Sequence, residues 1–271
     1  MTSRRADVES PRSWLFAPGH NERLLDKVFD AGADAAILDL EDSVPDSLKD
    51  AARRLVTEAI NGRPCWVRVN RPRTDTCEHD IEALGGLVSG LRVPKVESVD
   101  DVAWVAARAP GILLDCTIES ARGVMAVNEI AASDACTRLS FGNLDLATDL
   151  GAEAGDLELL YARSALVIAS RAAAKPPPSD GVFTDLVDDG GLRHQAEAAR
   201  RLGFFGKSAL HPRQVPIINE VFTTPPERID WAMRVLQAFE ASGGAATRLP
   251  NGEFVDLPVA EQARKILRTA R

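Results

Sequence analysis

Eight short apolar runs, each followed by a segment with helical spacing of apolar and polar residues, recur between residues 13 and 212. They are SWLFAP (13–18), AAILDLED (35–42), PCWVRVN (64–70), GLRVPKVE (90–97), GILLDCTIES (111–120), TRLSFGNLDL (137–146), SDGVFTDL (179–186) and FFGKSALHP (204–212). The segments between them read as amphipathic helices; in the first, Leu24, Leu25, Val28 and Phe29 share one face and Glu22, Asp26 and Lys27 the other. Strands that alternate with helices call for parallel pairing, because a parallel connection must cross over the sheet. Eight such units without a long linker predict a single α/β domain, a (β/α)8 TIM barrel, rather than a doubly wound sheet. The dinucleotide-binding alternative lacks its signature: GHNERLL after the first run has none of the required glycine spacing. The barrel core is predicted over residues 1–215 and a C-terminal helical and flap extension over 216–271. In that extension ASGGAATRLPNGEFVDLP carries a Gly-Gly pair and an Asn-Gly turn, the marks of a small hairpin or flap.

Charge narrows the function classes. The chain of 271 residues carries 32 Lys and Arg against 40 Asp and Glu, a net charge of −8, with the cations scattered among the acids. Without a basic stripe, nucleic acid is not an expected partner. No run approaches the roughly 20 apolar residues of a membrane span, and MTSRRADVESPRS has no apolar core of a signal peptide, so a cytoplasmic protein is expected. Cys65, Cys77, Cys116 and Cys136 contain no CxxC pair and no zinc-like spacing, and read as reduced, packed thiols.

Polar residues gather at the C-terminal ends of the predicted strands: Gly19 and His20, then Asp39, Glu41 and Asp42, Arg68 and Asn70, Lys95, Glu119, Asn143 and Asp145, Asp185, and finally Lys207 and His211. In a parallel barrel those ends share one face, where active sites of this architecture are built. Glu41, Glu119 and Asp145 supply hard oxygen ligands of a kind that suits Mg2+ better than zinc. Arg68 and Lys95 suit an anionic substrate, the planar fork of Arg68 fitting a carboxylate. Each residue also has a plainer role open to it, the acids as loop or helix caps and the cations as structural ion pairs.

At these residues the sequence resembles the citrate lyase β-subunit-like, malyl-CoA lyase-like branch of the HpcH/HpaI aldolase and citrate lyase superfamily. The resemblance is carried, in the family's order, by RSWLFAPGHNERLLDK (12–27), ILDLEDSVPDSLKDAAR (37–53), VRVN (67–70), VPKVES (93–98), IESARGV (118–124), FGNLDLATDLGA (141–152), SDGVFTDLVDDGGL (179–192) and GFFGKSALHPRQV (203–215), with a weaker match at NGEFVDLP (251–258). It implies a barrel that cleaves or forms a carbon–carbon bond in a 3-hydroxyacyl-CoA thioester. Glu119 and Asp145 then match the protein ligands of Mg2+, and Arg68 the residue that grips the carboxylate of the oxo acid. Glu41 matches part of the acidic cluster around the metal, with Asp39 supporting it. Gly19, Arg12, Arg23 and Lys27 match the segment that approaches the CoA portion.

The same resemblance implies a homotrimer or homohexamer in which the C-terminal extension covers a neighbour's site and contributes an aspartate, here Asp256, as general acid or base. Asp256 reads equally well as the cap of a helix starting near Pro258. Two departures bear on specificity. Asn143 precedes Leu144 and Asp145 where many relatives carry a smaller or acidic residue, and LDLED lacks the histidine of the aldolase branch. His211, before Pro212, reads as structural. The expected activity is therefore retro-Claisen cleavage of a malyl-, citramalyl- or citryl-type thioester into an acyl-CoA and an oxo acid. The alternatives are a metal-dependent aldolase on free hydroxy-oxo acids, or a non-catalytic subunit of a larger lyase whose substrate rides on an acyl-carrier protein.

Overall fold

A computed structural model describes residues 10–269. The chain divides into two compact units, one running to Glu220 and one from Val221. Among the described residues no helix is long and apolar enough to cross a membrane.

The first unit alternates strands and helices. Its first half comprises β1 (Ser13–Pro18), α1 (Glu22–Lys27), β2 (Ala35–Asp39), α2 (Lys49–Ile60), β3 (Trp66–Arg68), α3 (Asp75–Leu84), β4 (Gly90–Val93) and α4 (Val99–Arg108). There follow β5 (Leu113–Ile118), α5 (Ala121–Met125), α6 (Val127–Ala132), β6 (Cys136–Phe141), α7 (Asn143–Leu150), α8 (Leu160–Ala172), α9 (Asp189–Leu202) and β7 (Lys207–Ala209). Helix α10 (Val215–Phe222) runs across the boundary between the units.

The strands form one curled parallel sheet in the order β6-β5-β4-β3-β2-β1-β7. Seven strands form where eight were expected. The 179–186 segment is reduced to two parallel bridges, Ser140 with Ser179 and Asp180 with Lys207, which join the edge strands β6 and β7. The chain leaves extended pairing at Gly181, where a Cβ would overlap the Asn143 side chain. Two further boundaries move. The sixth strand ends at Phe141, so Asn143 and Asp145 lie in the first turn of α7 rather than at a strand end. Lys207 opens β7 opposite Ser13, at the N-terminal end of the sheet, where its ammonium meets Asp180 at 2.7 Å.

Four of the strand-to-helix turns are closed by a polar side chain at the helix start. Asn21 accepts from the Leu24 N–H, Thr74 from Cys77, Ser98 from Asp101 and Ser120 from Gly123, ahead of α1, α3, α4 and α5. The parallel pairing leaves the C-terminal residues of the strands facing one end. Inside the sheet, Trp14 and Trp66 pack edge to face at 5.3 Å between ring centroids, with Ala35 and Ile37. A Cβ on Gly90 would overlap the Trp66 ring, which explains a glycine inside β4. All four cysteines are buried and free, and burial pushes the Cys65 thiol up to about 11.

The second unit holds α11 (Pro226–Ala241), a hairpin of β8 (Thr247–Arg248) and β9 (Phe254–Val255), and α12 (Leu257–Thr269). Its own core joins Ala232, Val235 and Phe239 of α11 to Leu249, Val255, Ala260 and Ala263.

Candidate active site

The C-terminal ends of β1 to β6 surround a cavity of about 270 Å3, walled by Phe16 and Pro18 from β1, Asp39 from β2, Arg68 from β3, Glu119 beyond β5, and Asp145 from α7. Register explains the gathering. Pro18, Asp39, Arg68 and Arg92 are successive Cα partners across β1 to β4, followed by Asp115 on β5 and Arg138 on β6. In parallel strands such partners project to the same face, so one row of the sheet carries a belt of charge.

Arg68 is the hub of the rim. Its Nε and Nη2 donate to the two oxygens of Asp39, each at 2.7 Å, and its Nη1 lies 3.0 Å from Glu41 Oε2. The guanidinium carbon sits 5.0 Å from the Phe16 ring centroid. Burial works against the charge of Arg68, but Asp39 and Glu41 more than compensate and its pKa rises. Burial likewise pushes Asp39 up, and the charge and hydrogen bonds of Arg68 outweigh that and hold its carboxyl below the usual range. Asp39 also accepts the Glu41 N–H at 3.0 Å, which pins the turn after β2.

Lys95 ties two acids together. Its ammonium lies 2.6 Å from Glu41 Oε1 and 3.1 Å from Asp42, and its backbone N–H donates to Glu119 Oε1 at 2.7 Å. The residue takes a left-handed conformation, φ 53°, just past β4, and this turn aims the N–H at Glu119. Glu41 is 3% exposed, and burial raises its carboxyl more than Arg68 and Lys95 lower it. Glu119 is 5% exposed; burial, then the charges of Glu41 and Asp145, push it up to about 8. Gly142 makes room for it, since a Cβ there would overlap the Glu119 side chain.

Glu119 therefore shares the cavity with Asp145 and lies near Glu41 without enough cationic charge to keep its own carboxyl in the ordinary range. A divalent cation fits this arrangement, because it supplies the missing charge and favours the deprotonated acids. Among the described residues no group of three or more His, Cys, Asp or Glu side chains is arranged to hold a metal ion, so Glu119 and Asp145 are the carboxylates this cavity offers to a cation.

Other residues singled out in the sequence fall at varying distances from this centre. Gly19 lies directly over β2, donating its N–H to the Asp39 carbonyl at 2.8 Å, and a Cβ would come to 2.5 Å from that oxygen. Lys27 is the last residue of α1 and is exposed. Arg12 is not brought to the site. It precedes β1 at the N-terminal end of the sheet, where its side chain is bonded to both oxygens of Asp34 at 2.8 Å. Asp256 belongs to the second unit, where its Oδ1 accepts the Val259 N–H at 3.2 Å at the start of α12. Asn143 braces the wall by exchanging two 3.0 Å hydrogen bonds with the Val182 backbone.

Sequence reading overlooked Arg92, which lines the same cavity together with Thr117, Ser140 and Ser208. The signal was available: an arginine inside the apolar run GLRV and an aspartate inside LLDC, two opposite charges in neighbouring strands.

An α/β unit that collects carboxylates, an arginine and a lysine at the C-terminal ends of its parallel strands places them where enzymes of this architecture build their active sites. The chain belongs to the HpcH/HpaI aldolase/citrate lyase family, whose model matches residues 12–212. It is 35% identical over 254 residues to a (3S)-malyl-CoA thioesterase of Cereibacter sphaeroides, covering 90% of this chain and 89% of that one. It is 34% identical over 282 residues to the citrate lyase subunit beta of Escherichia coli K12, covering 96% and 93%. Among solved structures, CitE from Mycobacterium tuberculosis in complex with magnesium, acetoacetate and coenzyme A superposes with a TM-score of 0.84 at 32% identity, over 97% of this chain and 98% of that one.

Proposed function

We propose that the protein is a Mg2+-dependent carbon–carbon lyase that cleaves, or in reverse forms, a 3-hydroxyacyl-CoA thioester of the malyl, citramalyl or citryl type. The observation that carries this reading is the gathering of Arg68, Glu119 and Asp145 on one cavity, with Glu41 paired to Arg68 beside it. The likeness to citrate lyase subunit beta and to a CitE bound to magnesium and coenzyme A supports it. In this proposal the curled sheet, closed through residues 179–180, acts as a (β/α)8 barrel.

Glu119 and Asp145 would hold Mg2+, which would supply Lewis acidity toward the substrate's oxygens. Arg68, fixed by Asp39, presents its positive edge to the carboxylate of the departing oxo acid and keeps it in register. Glu41, shared between Arg68 and Lys95, orders the acidic side of the cavity. Gly19 lets the first loop approach the thioester side closely, with Lys27 as a cation for CoA on the same side. Asp256, from a neighbouring subunit of a homotrimer or homohexamer, is assigned as general acid or base toward the nascent enolate.

A second reading, hydrolysis of the thioester itself, has the support of the likeness to a malyl-CoA thioesterase. One assay separates the two. A panel of acyl-CoA thioesters with Mg2+ is followed for release of glyoxylate, pyruvate, oxaloacetate or acetoacetate, and in parallel for free CoA thiol. Oxo acid without thiol indicates cleavage of the carbon–carbon bond; thiol without oxo acid indicates hydrolysis. EDTA, Glu119→Ala and Asp145→Ala abolish turnover on the lyase reading while the fold persists, and activity retained in both variants would sink it. Comparable turnover of free hydroxy-oxo acids would instead indicate an aldolase.

A further inference from the structure

The floor of the cavity carries a second guanidinium that the proposed reaction does not use. Arg92 is 3% exposed, yet it lines the cavity with the hydroxyl-bearing Thr117, Ser140 and Ser208. Its Nε and Nη2 donate to Asp115 Oδ2 at 3.0 and 2.8 Å, its Nη2 also to Ser179 at 3.2 Å, and its Nη1 to Ser208 at 3.0 Å. A guanidinium has five N–H donors. These bonds use Nε–H, both Nη2 hydrogens and one on Nη1, so one Nη1–H is left without a protein acceptor among the described residues.

Charge at the floor is unbalanced in the same sense. Arg92 and Arg138 stand on either side of Asp115 in the register and lie 4.8 and 5.0 Å from the Trp14 ring centroid. Asp115 is the carboxylate of this group, and it faces two guanidiniums. Burial lowers the pKa of Arg138, Asp115 partly offsets it, and Arg92 adds a smaller push in the same direction as burial. Arg68 and Arg92 are direct Cα partners on β3 and β4, and both guanidiniums approach the Phe16 ring, at 5.0 and 5.6 Å from its centroid. One small ligand can therefore meet both.

We propose that Arg92 is a specificity-determining residue of this cavity, selecting hydroxy or oxo acids that carry a second carboxylate over their methyl-ended counterparts. The inference rests on the proposed use of the cavity as an oxo-acid site and adds which acid it takes. Arg68 receives the carboxylate next to the reacting carbon, and the spare Nη1–H of Arg92, flanked by hydroxyls, receives the distal one. A methyl group placed there would cover the spare Nη1–H of a charged guanidinium without pairing it, whereas Thr117 and Ser140 already bond each other at 2.9 Å and Ser208 already accepts from Arg92. A site built around buried donors rejects the ligand that leaves them unpaired.

The test is calorimetric and needs no turnover. L-malate and L-lactate differ by the one carboxylate in question, and each is titrated into the full-length protein in the presence of Mg2+. Malate is expected to bind at least about tenfold more tightly than lactate. In Arg92→Met the malate-to-lactate ratio falls to about one. Because that variant strands Asp115 in the interior, Arg92→Met/Asp115→Asn removes both partners and is measured beside it. Equal affinity for the two acids in the unaltered protein, or a preference that survives in the double variant, overturns the inference and leaves the lyase proposal standing. If neither acid binds while thioesters are still turned over, the inference alone falls; if neither binds nor any thioester reacts, both fall together.

Discussion

Lys95 holds Glu119 through its backbone: its N–H donates to Glu119 Oε1 at 2.7 Å, and this geometry depends on a left-handed turn with φ 53°. Its ammonium reaches a different acid, Glu41, at 2.6 Å. The two functions are separable. Lys95→Ala and Lys95→Gly both delete the ammonium, but only glycine adopts the turn without cost. The glycine variant is expected to be the more stable by about 1 kcal/mol, as read by urea unfolding. Both should lose turnover about equally, because Glu41 then has Arg68 as its remaining cation. An alanine variant as stable as the glycine one would show that the turn stores no strain.

Gly142 and Glu119 compete for one volume. A Cβ at position 142 overlaps the Glu119 carboxylate and its Cβ, with Glu119 itself hemmed in at 5% exposure. Gly142→Ala is expected to cost about 1–3 kcal/mol, the range for overpacking a rigid site, and to weaken Mg2+ binding more than a remote substitution of equal cost. Differential scanning calorimetry and Mg2+ titration on the same sample separate the two effects. Unchanged metal affinity would mean that Glu119 moves aside without consequence.

The raised pKa of Glu119 makes two pH statements. The folded-state value lies near 8 against an ordinary 4.5, so the native chain holds a proton that the unfolded chain releases. This group's contribution to stability is complete below about pH 4.5 and is lost as pH climbs through about 8. The metal-free protein should accordingly soften between about pH 4.5 and pH 8, with no further loss from this group above that. A cation needs the deprotonated acid, so apparent Mg2+ affinity should rise with pH and flatten above about 8, with about one proton released per metal at pH 7. Titrations in buffers of different ionisation enthalpy count that proton. An affinity that is flat with pH would remove Glu119 from the metal site.

Much of the first unit was legible because burial on both faces writes parallel strands as apolar runs, and SWLFAP, AAILD and LLDCTI lie where the sheet lies. The boundary at Gly142 was not. In TRLSFGNLDL Leu139 and Phe141 on one side of Gly142 and Leu144 and Leu146 on the other each keep a period-two spacing, so the sequence runs on as strand where the chain turns and starts a helix at Asn143, with Glu119 filling the space beside Gly142. Residues 179–186 were overread for the related reason that two bridging residues suffice to join β6 to β7. Glu41, Arg68, Glu119 and Asp145 were found because each falls at or just past a strand end. Arg92 and Asp115 were missed because they lie inside the apolar runs rather than at their ends, and pair with one another across neighbouring strands. Arg12 misled in the opposite way. It is close to Gly19 in sequence but separated from it by the whole of β1.

Arg68 should not tolerate replacement. Asp39 is 1% exposed and depends on the paired Nε and Nη2 bonds. Arg68→Ala leaves that carboxylate buried without its partner, at a cost of about 3–5 kcal/mol. Arg68→Lys retains a charge but cannot satisfy both oxygens of Asp39 and still reach Glu41. It is expected to recover part of the stability, while kcat/KM falls by about a hundredfold or more. The pairing is isolated by adding Asp39→Asn to each variant. If Arg68 served Asp39 alone, Arg68→Met/Asp39→Leu would fold and react as the parent does.

Asp256 can be tested for a task beyond capping. Its Oδ1 accepts the Val259 N–H, so Asp256→Ala should destabilise the second unit by about 1 kcal/mol through the lost cap alone. Serine caps nearly as well as aspartate but has no carboxyl to exchange protons. Asp256→Ser is therefore expected to keep the melting temperature of the parent while losing turnover of the thioester by about a hundredfold, the range of a removed general acid or base. Asp256→Asn, which also caps, should behave like the serine variant and shift the pH–rate profile by deleting one of its limbs. Full activity in both capping variants would reduce Asp256 to the helix start that its hydrogen bond already describes.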